Sequence, residues 1–283
     1  MPTQRDPAAF NIYIEARKVW RSKIGWQLTR EETTRILTDV RTAAEMGDWG
    51  ARALMAHFYL YGLGVLDSNH VLDAAPERAI EIQRMAAEAG LPWGLYDLGV
   101  AYEHGYGGLP YDKELAWAYY LRAAELGSPE AQMALASAYT NAGRASDEQV
   151  MLRCAYEQGH GAAAYELALG ARARKAHHEA LVIHQAGVRF GCVDCAATLW
   201  LLFDEGHWVN AREDEKEALK LIGIDRDPER SNRYKSILDA LKINPDLRLT
   251  RLESVLPLPP TKLPILSGIE HAVELEFSDP PTY

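Results

Sequence analysis

Cysteine, positive charge and long apolar runs are all scarce in this sequence, and each shortage excludes a class of protein. Three cysteines in 283 residues, Cys154, Cys192 and Cys195, are too few for a disulfide-built scaffold. Cys192-Val193-Asp194-Cys195 is a lone Cys-x-x-Cys, with no second pair to complete a zinc site and no βαβ pattern beside it to make a redox centre. All three are expected to serve as small structural residues, with a stabilising disulfide as the second reading. Lys and Arg number 30 against 40 Asp and Glu, for a formal net charge of −10. Binding to a nucleic-acid backbone or to anionic lipid needs a basic patch, so neither is an expected partner. An acidic chain suits a basic protein instead, through steering more than raw affinity. No stretch approaches the roughly 18 uninterrupted apolar residues of a membrane span, and residues 1–7 hold no apolar signal core. Taken as it stands, the chain is expected in the cytoplasm; with a leader removed, in the periplasm.

Catalytic motifs are missing as well. There is no HExxH, phosphate loop or nucleophile elbow. His177-His178-Glu179 occupy adjacent helix positions that point to different faces. Gly105-Tyr106-Gly107-Gly108 falls between two helices, where a turn needs glycine. The run Arg212-Glu213-Asp214-Glu215-Lys216 reads as a solvated helix start. No catalytic residue, metal site or cofactor is expected, and the chain reads as a non-enzyme.

What is abundant is repetition. Ala43-Ala44-Glu45-Met46-Gly47, Ala86-Ala87-Glu88-Ala89-Gly90 and Ala123-Ala124-Glu125-Leu126-Gly127 are three copies of one phrase, and weaker copies end at Gly159 and Gly191. These glycines lie 43, 37, 32 and 32 residues apart, close to the ~34 residues of a helix–turn–helix repeat once two longer loops are allowed for. Aligned on the glycine, the copies place a small residue four on (Ala51, Gly94, Ala131, Ala163, Cys195) and a large one eight on (Met55, Leu98, Leu135, Leu167, Leu199). Twelve on stand Tyr59, Tyr102, Tyr139, Ala171 and Phe203. This spacing is one face of a helix. The glycine is a natural helix stop; Pro92, Pro129, Gly161 and the capping box Thr29-Arg30-Glu31-Glu32 mark starts.

The second copy reads Leu98-Gly99-x-x-Tyr102-x-x-Gly105-x-Gly107, then Ala116-x-x-Tyr119-Tyr120-x-Arg122-Ala123-Ala124-x-x-Gly127. It resembles the Sel-one-like repeat, a short relative of the tetratricopeptide repeat. The resemblance implies an all-α, right-handed α-solenoid of helix-turn-helix repeats. The expected organisation is a capping helix within residues 1–27 (helical over 7–25), repeats over 28–224, and a C-terminal helix with a proline-rich, partly irregular tail over 225–283. Copies between 143 and 190 lack the Gly-x-Gly loop. The tail carries Arg233-Tyr234, Pro245-Asp246-Leu247-Arg248 and Leu256-Pro257-Leu258-Pro259-Pro260. It is similar to the C-terminal module of proteobacterial Sel-one-like proteins encoded beside type VI secretion phospholipase effectors. That resemblance implies a periplasmic immunity protein that neutralises such an effector by direct binding. The alternative is a general bacterial protein–protein scaffold or regulator. Either way the expected partner is a protein.

In tetratricopeptide-like stacks the first helix of each pair lines the concave side. Carried onto this sequence, the groove positions include Tyr61 in the first repeat, Trp93, Tyr96, Glu103 and His104 in the second, and Glu130 and Asn141 in the third. Tyr165 and Arg172 follow in the fourth, and Asp204 and Glu205 in the fifth. Aromatic anchors among carboxylates would suit a basic or mixed-charge loop of a partner.

Overall fold

The computed structural model describes residues 5–210, 213–265 and 268–273. Among them the regular structure is helical, apart from one isolated bridge between Leu63 and Leu72. The chain forms two compact units that divide between Leu135 and Ala136.

The first unit begins with α1 (Pro7–Arg21), α2 (Arg30–Glu45) and α3 (Trp49–Tyr61). It continues with α4 (Pro76–Glu88), α5 (Pro92–His104) and α6 (Lys113–Glu125), and the division falls within α7 (Pro129–Asn141). Helices α1 to α6 pack in series, each against its neighbour in the chain, so the architecture is an α-solenoid. The repeated glycines do what their spacing predicts. Gly47, Gly90, Gly127, Gly159 and Gly191 all stand at positive φ, between 73° and 97°. That conformation suits a residue without Cβ and ends the preceding helix. The small residues four positions on are buried against neighbouring helices, Ala51 and Ala131 completely. At Gly94 a Cβ would stand 2.5 Å from that of Ala86, so glycine sets how closely α5 approaches α4.

Helix α1 ends at Arg21 rather than running to residue 25 as expected. Ser22 turns its hydroxyl back onto the Val19 carbonyl at 2.8 Å, and a single 3₁₀ turn follows at Gly25–Gln27. The side chain of Asn69, from the loop after α3, donates to the carbonyls of Gly25 (3.0 Å) and Leu28 (2.8 Å) and holds this corner. The capping box forms as read: Glu32 N–H donates to Thr29 Oγ1 at 3.1 Å and Thr29 N–H to Glu32 Oε2 at 2.8 Å. Tyr13 and Ile14 of α1 join Ile36, Leu54 and Phe58 in one core, so the amphipathic first helix covers the end of the array.

In the second unit the helix pairs persist without the Gly-x-Gly loop. They are α8 (Ala145–Glu157) with α9 (Gly161–Ala173), and α10 (His177–Arg189) with α11 (Val193–Phe203). Then come α12 (Glu205–Asn210), α13 (Glu213–Leu221), α14 (Pro228–Ile243) and α15 (Leu252–Val255). Phe203 of α11 stacks on Tyr234 of α14, with centroids 5.9 Å apart and rings 4° from parallel. The tail is thereby part of this unit's core. Two buried arginines explain its sequence signature. Arg233 donates to the carbonyls of Val255 (2.7 Å) and Pro264 (2.9 Å), and Arg230 donates to those of Pro257 and Thr261. Proline-rich chain cannot pair its own carbonyls in a helix, and the guanidinium forks supply the donors it lacks.

The cysteine expectation is corrected in part. Cys192 and Cys195 are joined in a disulfide, while Cys154 is free. Cys192 is the N-cap of α11 and Cys195 lies three residues on, with Cα atoms 5.3 Å apart. These are the two positions whose side chains converge at a helix start. Small size still matters at Cys195, whose sulfur occupies the space that a Cβ at Gly187 would need.

Candidate partner-binding surface

The predicted groove residues of the first unit fall into two groups. Tyr96 and Glu103 lie seven residues apart on α5, hence on one face two turns apart. Opposite them stands Tyr120 of α6. Its ring can lie across α5 because Gly99 has no side chain; a Cβ there would be 2.7 Å from the ring. So placed, the Tyr120 hydroxyl donates to Glu103 Oε2 at 2.6 Å. The Tyr96 ring lies 5.5 Å from that of Tyr120, and Trp117 meets Tyr120 edge-on at 5.4 Å. Glu130, in the first turn of α7, accepts from the Ser128 hydroxyl at 3.0 Å.

Asp97 lies beside Tyr96 on α5. Burial, and then the neighbouring Glu130 carboxylate, push its carboxyl up to about 7. Tyr106, just past the left-handed Gly105 that ends α5, is pushed up to about 12 by burial and then by Asp97, Tyr61 and Tyr96. Tyr96 is raised by burial, Glu130, Asp97 and Glu103, in that order. Among the described residues, the charges acting on Asp97 and Tyr96 are all negative. The result is an acidic patch with phenol walls, a combination that attracts an ammonium or guanidinium group through carboxylates and ring faces together.

Tyr61 adjoins this patch through Tyr106 and is 70% exposed. Trp93 does not reach it. The indole is 5% exposed and packs on Trp49, with Ala53, Ala86 and Leu91 around it. His104 is exposed at the end of α5, and Asn141 is exposed at the end of α7. In the second unit Tyr165 and Arg172 both lie on α9 and both act on His184 of α10. Asp204 accepts from the Gly206 N–H at 2.8 Å in the turn into α12, and Glu205 pairs with Arg226, 21 residues on, at 2.6 Å. The described residues contain no group of three metal-capable side chains, and none of their helices is long and apolar enough to cross a membrane.

The chain shares its fold with solved Pseudomonas aeruginosa proteins. Immunity protein Pa5087 matches at a TM-score of 0.69 with 24% identity, over 91% of this chain and 90% of that one. Immunity protein PA5088 matches at 0.68 with 24% identity, over 92% and 91%. PA5086 of the same organism matches at 0.69 with 25% identity, over 91% and 90%. Residues 203–282 match a domain of unknown function, DUF6396, a span that begins at Phe203 and takes in the arginine-strapped tail. No curated protein sequence matches the chain.

Sequence reasoning missed Asp97, Tyr106 and Tyr120. Asp97 was within reach, because positions 93, 97, 100 and 104 share a helix face as well as 96 and 103 do. Tyr120 carried no signal, since its partner lies 17 residues away on another helix.

Proposed function

We propose that this protein is an immunity protein that binds and neutralises a secreted toxin, a phospholipase-type effector of type VI secretion. The observation that carries this reading is a fold shared over nine-tenths of the chain with two Pseudomonas aeruginosa immunity proteins. The tail resemblance to proteins encoded beside such effectors supplies the effector class. The acidic, tyrosine-walled patch on α5 to α7 is the proposed contact, taking a lysine or arginine from the toxin. There Glu103 and Glu130 provide charge, and Tyr96, Tyr106 and Tyr61 provide contact area at low entropy cost. The Cys192–Cys195 disulfide suits an oxidising compartment such as the periplasm.

The test is co-purification of the tagged protein with the product of its neighbouring gene, followed by rescue of cells producing that toxin. A tight complex and restored growth are expected. Glu103→Lys combined with Glu130→Lys should weaken the complex by at least about tenfold, since like charges brought together across an interface cost several kcal/mol. Unchanged affinity in the double variant would remove the patch from the interface. No complex and no rescue would leave a protein–protein scaffold.

A further inference from the structure

Away from that patch, the second unit encloses a cavity of about 210 Å³ bordered by α9, α10, α11 and α13. We infer that it is a binding site for a short apolar carboxylate, with Arg172 meeting the carboxylate and His184 hydrogen-bonding it.

The first observation is His184. The residue is 2% exposed, and neither ring nitrogen has a hydrogen-bond partner. Its ring contact is with Tyr165, centroids 5.9 Å apart. Buried polar atoms are almost always paired, and an unpaired one costs stability. His184 lines the cavity, so the position that would satisfy it lies inside.

The lining is the second observation. Leu181, Leu202, Leu219 and Ile224 give the cavity apolar lining, and Arg172 and His177 add nitrogen groups to it. The lining itself includes no carboxylate among the described residues, so the Arg172 guanidinium, which also has a partner of its own, is the charged group a ligand there would meet. An anion with an apolar body is the chemistry this lining complements. Size sets the rest: an apolar cavity of about 150 Å³ accepts benzene, so about 210 Å³ takes a body somewhat larger than one ring. Burial first and the Arg172 charge second push His184 down to about 4, so at neutral pH its ring offers one N–H donor and one acceptor. The ligand's charge is then met by Arg172, and His184 adds a neutral hydrogen bond.

Isothermal titration of the full chain with sodium octanoate tests this, with 1-octanol as the uncharged probe of equal chain length. Saturable one-to-one binding of octanoate is expected, about tenfold or more tighter than octanol. Arg172→Gln should remove that preference. Leu201 also lines the cavity but is 50% exposed, so Leu201→Trp can fill the space from its rim without disturbing the fold, which circular dichroism checks. This variant should lose octanoate binding. Absence of saturable binding, equal affinity for octanol, or binding that survives Leu201→Trp would each overturn the assignment.

Discussion

Asp97 carries the most informative single charge. Its folded carboxyl is raised to about 7 from an ordinary 3.8 by burial and by Glu130. The folded state therefore keeps a proton that the unfolded state has released, and the chain loses stability as pH rises from about 4 through about 7. Asp97→Asn should come closest to the native protein in thermal melts below about pH 4 and exceed it at pH 8, by about a few degrees at least. A gap that does not widen with pH would mean that Asp97 is an ordinary carboxylate. Gly99 is the neighbouring case. Adding a Cβ 2.7 Å from the Tyr120 ring should cost about 1–3 kcal/mol through overpacking. The displaced ring should also break the hydroxyl bond to Glu103. Urea melts of Gly99→Ala measure the first effect, and the shift of the tyrosine ultraviolet spectrum measures the second. Gly99 stands in the repeat motif Leu98-Gly99-x-x-Tyr102, but the motif could not show which ring came to rest there.

Among elements, the proline-rich tail depends most on single side chains. Arg233 is buried and supplies donors to the Val255 and Pro264 carbonyls, while Glu229 accepts from its Nε at 2.9 Å. Removing it strands carbonyls in a buried setting. Arg233→Ala is expected to destabilise by about 1–3 kcal/mol for each carbonyl left without a donor and to open residues 255–264 to protease. Lysine should not rescue it, because a single ammonium cannot span two carbonyls as a planar fork does. If Arg233→Lys resists protease like the native chain, the strap is not what holds the tail. The capping box on α2 is a milder case: Thr29→Ala should cost about 1 kcal/mol, read in the same melts. Helix starts and stops were legible because a cap acts within one turn of its own residue. The straps were not, because donor and acceptor lie 22 and 31 residues apart.

For the molecule as a whole, the cysteines give a direct check. Protein prepared without reductant and then unfolded should titrate one thiol, Cys154, and three after reduction. Three thiols without reductant would mean that Cys192 and Cys195 are unpaired. The amino-acid sequence by itself determined the solenoid. The helix-stopping glycines, the small and large residues four and eight positions beyond them, and the prolines at helix starts are periodic signals, and each acts over a turn or two of chain. It also pointed to α5 as a carrier of exposed aromatic and acidic residues. Only the tertiary structure decided that Trp93 packs inside while Tyr61 stays out, that Tyr120 joins Glu103, and that His184 faces a cavity with both nitrogens unpaired. Those outcomes depend on which side chains from different helices meet, and a repeat sets the spacing of helices without setting which residue of the next one will fill each gap.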